Sequence, residues 1–265
     1  MTIMKKRNTA VIAVGLFGLL LCACAQQETT NTIATATPTV QTTAPAKTET
    51  TAPASDGTRE AFQAALKTIH DDLYWPDMDG ETGKIEIFEP STIEDEQFAI
   101  CDVDGDGEEE LLVSVSNTYM AGMRLAVYGY DAASGGLRLE TDGFPAVTFY
   151  PGMMKMESSH NQGHAGDVLW PYGVLTYDPA SDSYQLSCFV DAWDRNLSET
   201  DFEGNPYPTD IDTDNVGHVY LITENDETRT LNQADFEKWE SELFAGKEEI
   251  TIPWQKLTAE NIANP

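Results

Sequence analysis

The chain has 265 residues and carries 45 Asp plus Glu against 15 Lys plus Arg, a formal net charge of −30 at pH 7. A surface this negative repels phosphate backbones, which excludes nucleic acid as a partner and favours cations. It also repels anionic lipids and wall polymers, and much of the charge serves solubility.

At the N-terminus, Lys5-Lys6-Arg7 precedes an apolar run from Ala10 to Leu21 and then Cys22-Ala23-Cys24. That is the charged, apolar, small-residue order of a secretory signal. The run is shorter than the roughly 20 residues needed to cross a bilayer core. Leu21-Cys22-Ala23-Cys24 resembles the bacterial lipobox, in which an aliphatic residue and two small ones precede the cysteine that receives diacylglycerol. The resemblance implies cleavage of residues 1–23 and lipidation of Cys24. Cys22 is the poorer acceptor, because Leu21 stands where a small residue is wanted. Each buried methylene contributes about 0.8 kcal/mol, and two acyl chains hold stably. The expected location is the outer face of the cell membrane, anchored by lipid.

Residues 24–57 are expected to form a tether. From residue 25 the composition turns to Thr, Ala, Pro, Gln and Ser, with Ile33 and Val40 the only large apolar residues. Such a segment buries too little to offset its conformational entropy. As a flexible coil it would span about 30 Å.

About 210 residues from Ser55 onward remain, enough for a hydrophobic core. Residues 58–265 are expected to be an acidic α+β domain, an antiparallel β-meander flanked by N- and C-terminal helices. Thr58 to Trp75 places Phe62, Ala65, Leu66, Ile69 and Leu73 on one helical face, and Pro76 stops it. Phe98 to Cys101 predicts a strand leading into an acidic turn, and Leu111, Val113 and Val115 alternate with Leu112, Ser114 and Ser116 on the way out. Met123–Tyr130 and Leu137–Thr141 form a strand pair around a turn at residues 131–136. Gly173–Tyr177 and Tyr184–Val190 form another around residues 178–182, and His218–Thr223 is a further strand. A helix over Gln233–Ala245 is capped by Asn232, with Asp235 three residues on, and stopped by Gly246. Cys101 and Cys188 lie in apolar strand-like runs. An extracellular setting permits a disulfide between them, and buried free thiols fit the runs equally well.

Asp102-Val-Asp104-Gly-Asp106-Gly107-Glu108-Glu109-Glu110 concentrates oxygen donors at alternate positions. Calcium is a hard cation that takes six to eight oxygens near 2.4 Å. Asp102, Asp104 and Asp106 offer carboxylates, Gly107 the sharp turn, Glu108 its carbonyl and Glu110 the closing carboxylate. The loop resembles those of EF-hands, dockerins, thrombospondin type 3 repeats and the FG-GAP or VCBS repeats. It departs from the helix-loop-helix hand in having Val113 where the hand has a bidentate Glu, and its flanking alternation predicts a setting between strands. The order of lipobox, Thr-rich tether and acidic loop resembles a group of Gram-positive surface lipoproteins. Asp210, Asp212 and Asp214 repeat the first half of the pattern as a weak second metal loop, with Asn215 in place of the glycine.

Other candidates carry less. His160 and His164 sit among Gly and Asn without a third ligand nearby, and Met153-Met154-Lys155-Met156 reads as packing. Asp191, Trp193 and Asp194 suggest a glycan cleft. Two classes of function follow. The first is a non-enzymatic, calcium-stabilised module that binds a cell-wall component, a glycan or a protein. The second is a glycan or peptidoglycan hydrolase, which needs a carboxylate pair roughly 5 to 10 Å apart beside exposed aromatics.

Overall fold

Leu111-Leu112-Val113 is apolar at every position, so the strand that carries it has to bury both of its faces, and that requirement organises the architecture. A computed structural model describes residues 56–76, 83–161 and 163–265. The expectations for the signal at 1–23, for Cys24 and for nearly all of the 24–57 tether lie outside the described residues. Among the described residues, no helix is long and apolar enough to cross a membrane.

Two antiparallel sheets form the centre of an α+β fold. The first contains β1 (Gln97–Cys101), β2 (Glu110–Val115), β3 (Arg124–Asp131) and β4 (Gly136–Gly143) as a meander, with β11 (Gln255–Lys256) added beside β1. The second runs as an unbroken meander through β5 (Val147–Tyr150), β6 (Met153–Glu157), β7 (Tyr172–Asp178), β8 (Ser183–Asp194), β9 (His218–Glu224) and β10 (Glu227–Leu231). Helices are α1 (Asp56–Asp72), α2 (Gln233–Leu243) and α3 (Ala259–Ala263).

The strand period of two sorts the apolar residues into layers. Phe98, Leu111, Val113 and Tyr128 point from the first sheet onto Phe62, Leu66 and Ile69 of α1. Their neighbours Ala99, Leu112, Leu125 and Val127 point the other way, onto Phe149, Met154 and Tyr184 of the second sheet. The far face of that sheet, with Tyr172, Val190 and Ile222, receives Phe236 of α2, whose ring stacks 3.9 Å from Tyr220. The order is therefore helix, sheet, sheet, helix.

Helix ends follow local chemistry. Leu73 has φ 52, so α1 stops before Pro76. Asn232 caps α2 as expected, its side chain accepting from the Asp235 N–H at 2.8 Å. Several elements were not expected: the β5–β6 hairpin closed at Pro151-Gly152, the edge strands β10 and β11, and α3. Leu112, expected on the face opposite Leu111 beside two serines, is fully buried in the core between the sheets. Cys101 and Cys188 are free thiols in different clusters, and burial pushes them up to about 12 and about 11 respectively.

Candidate metal centre

The acidic loop is the connection between β1 and β2, whose register ends at the pair Cys101 and Glu110. It lies between strands, as its flanking alternation predicts. Its turns are Asx-type: Gly105 N–H donates to Asp102 Oδ1 at 2.7 Å, Asp106 N–H to Asp104 Oδ1 at 2.9 Å, and Glu108 N–H to Asp106 Oδ1 at 2.7 Å. Gly107 takes φ +96, a conformation strained for any residue with a Cβ, and its N–H reaches Asp102 Oδ2 at 3.2 Å.

One apolar residue anchors the loop. Val103 is fully buried in the core between the sheets, its N–H donates to Glu110 Oε2 at 2.8 Å, and its carbonyl accepts the Tyr184 hydroxyl of β8 at 3.1 Å. Inserting Val103 pulls its neighbour Asp104 under cover. Asp104 is 5% exposed and Glu110 2% exposed.

Carboxylate oxygens of Asp102, Asp104 and Glu110 converge within 4.8 Å of one another, and so do those of Asp104, Asp106 and Asp182. Both acidic groups can hold a metal ion. Asp104 belongs to both, and its Oδ2 is buried without a hydrogen-bond partner. The Tyr177 hydroxyl faces this region but has one proton, which it shares between Asp182 Oδ1 at 2.6 Å and Asp106 Oδ2 at 3.2 Å.

A further buried acid stands alongside. Glu140 of β4 is 5% exposed, and its Oε2 has no hydrogen-bond partner. Arg138 lies 3.6 Å from Glu140 Oε1 and pairs with the Asp182 carboxylate. Gly129 on the neighbouring strand leaves room for this carboxylate, since a Cβ there would collide with Glu140 Oε1. Burial pushes Asp104 up to about 6, Glu140 up to about 8 and Glu110 up to about 10, and the mutual repulsion of the acids adds to each shift. Burial likewise raises Tyr177 and Tyr184. A divalent cation would reverse the cause by supplying the missing countercharge. An all-carboxylate donor set selects hard cations over zinc or copper.

The sequence-expected donors are thus partly gathered. The side chains of Asp102, Asp104, Asp106 and Glu110 enter the two groups; Glu108, expected to offer its carbonyl, has an exposed side chain, as that role allows. Asp182, Glu140 and Arg138 were not foreseen, since they meet the loop only through sheet pairing and sheet packing. The loop at Asp210, Asp212 and Asp214 forms no such group among the described residues; Asp212 is buried and accepts the N–H groups of Val216 and Gly217 at 2.9 and 3.0 Å.

His164 stacks on Phe202 at 4.3 Å, and Met153 and Met154 are buried in β6. Trp193 is buried with its indole N–H on the Ser198 carbonyl at 2.9 Å, so its ring is not presented to a sugar. A groove of about 760 Å³ is lined from both sheets, by Met120, Arg124, Phe144, Leu186 and Phe189 among others, with the Arg124 guanidinium 4.6 Å from the centre of the Trp75 ring. Comparison with protein-family models, curated proteins and solved structures gives no match.

Proposed function

We propose that the loop at 102–110 binds calcium and that the protein is a non-enzymatic, calcium-stabilised binding module, held by lipid on Cys24 at the outer face of the cell membrane. The observation that carries the calcium reading is the buried, unpartnered Oδ2 of Asp104 among converging carboxylates. An uncompensated buried charge is strongly unfavourable, and such an acid is retained where a cation neutralises it. Calcium suits the site better than magnesium, because several carboxylates replace water at once and magnesium gives up its water reluctantly. An extracellular location supports the same reading, since extracellular modules use calcium sites as weak as about 10⁻⁴ to 10⁻³ M.

The groove supports a binding role. Its size falls within the roughly 300 to 1,000 Å³ of ligand sites, and it combines apolar walls with a few charged groups. A cell-wall component, glycan or protein segment is the partner class that an exported module meets. The lipobox and the charged and apolar segments before it support the anchor.

Two measurements test the reading. The protein should melt higher in millimolar calcium than in chelator, with a smaller gain in magnesium, and equal melting in all three would refute the calcium role. Cys24→Ser should move the protein from the membrane fraction to the soluble one; retention on membranes would refute the anchor.

A further inference from the structure

Asp182 lies in the turn between β7 and β8, in the opposite sheet from the loop at 102–110. One of its carboxylate oxygens lies within 4.8 Å of both an Asp104 and an Asp106 oxygen. The Tyr177 hydroxyl bridges Asp106 and Asp182, and the Tyr184 hydroxyl holds the Val103 carbonyl, so the loop and the second sheet are already joined at this end. Asp104, the acid common to both groups, is nine-tenths buried with an unpartnered oxygen. Arg138 pairs with Asp182, while Asp104 keeps its buried oxygen without a hydrogen-bond partner.

We propose that Asp182 is a ligand of the same cation as the loop, so that the ion joins the two sheets and its occupancy governs their packing at this end. The proposal rests on the calcium reading and adds a donor that no loop motif contains. Arg138 takes a defined part: it holds Asp182 by an ion pair and by its Nε donating to the Asp182 carbonyl at 3.1 Å, and it is the positive charge that an incoming ion displaces or shares. Asp182 has φ 49. Asn and Gly tolerate that conformation, so both substitutions preserve the turn.

The test is a calorimetric titration of the chelator-treated full chain with calcium, for wild type, Asp182→Asn, Asp182→Gly and Arg138→Gln. Loss of a ligand should weaken affinity at least about tenfold in both Asp182 variants. Arg138→Gln, which removes the same ion pair and keeps the carboxylate, should bind as tightly as wild type or tighter. In amide exchange, calcium should slow the β7–β8 turn together with the loop in wild type, and slow only the loop in Asp182→Asn. Unchanged affinity in the Asp182 variants, or equal weakening in Arg138→Gln, overturns the ligand role and leaves the loop site intact. No calcium binding by wild type removes the loop site itself, a separate result.

Discussion

Asp104→Asn should raise the melting temperature in chelator and lose most of the rise that calcium gives the wild type. Without a cation, Asp104 is a buried acid with an unpartnered oxygen, crowded by Asp102 and Asp106 and pushed up to about 6 by burial first and by those charges second. Replacing it by a neutral side chain of the same shape relieves a penalty of about 1 to 3 kcal/mol. With calcium the same change removes a ligand. A cation at about 100 times its dissociation constant stabilises by about 2.7 kcal/mol. At about 2 to 4 °C per kcal/mol for a domain of this size, the gain is about 5 to 10 °C, most of which the variant should lose. A variant that keeps the full calcium-induced rise would mean that Asp104 is not a ligand, and one that melts no higher in chelator would mean that its charge carries no penalty.

The second large effect is expected at Leu112. Leu112→Ala should destabilise by about 2 to 5 kcal/mol, the range for emptying a well-packed apolar site. Leu112 is fully buried between the sheets, against residues of the second sheet such as Phe149, Met154 and Tyr184. If β2 had one solvent face, the same substitution would lie within about 0.5 kcal/mol of neutral. Denaturant unfolding at fixed calcium distinguishes the two outcomes, and a near-neutral result would contradict the layered arrangement.

These two residues also show how far the sequence could be read. The loop is local: alternating Asp residues and a glycine at 107 specify their own Asx turns, and apolar alternation on either side specifies the strands, so loop and setting were legible together. Leu112 does face away from Leu111 as the alternation implies, but the serines at 114 and 116 gave no sign that a second sheet covers that face. The continuous apolar run at 111–113 was the better signal, since strands covered on both faces lose their alternation. Asn232 was legible because a cap depends on a few adjacent residues.

Asp182, Glu140 and Arg138 were not legible. Each sits in a segment unremarkable by itself, and only the pairing of β3 with β4 and the packing of the two sheets bring them to the loop. The β5–β6 hairpin was missed because its Met-rich strand lacks β-branched residues and its pair is short. In this protein local chemistry specifies half of the site, and tertiary packing supplies the rest.

That division bears on the proposed role. The groove takes Arg124, Leu186 and Phe189 from β3 and β8, and the acidic centre takes Gly129, Asp182 and Tyr184 from the same strands or the turn before them. The proposed cation would therefore be held by residues on or beside strands that also line the groove.

The most direct test of the calcium centre is a calorimetric titration of chelator-treated protein with calcium in the presence of excess magnesium. Saturable calcium binding that magnesium does not abolish, and that Asp104→Asn removes, is the expected result. The absence of saturable heat up to several millimolar calcium, beyond the weakest range of about 10⁻³ M for extracellular modules, would contradict it.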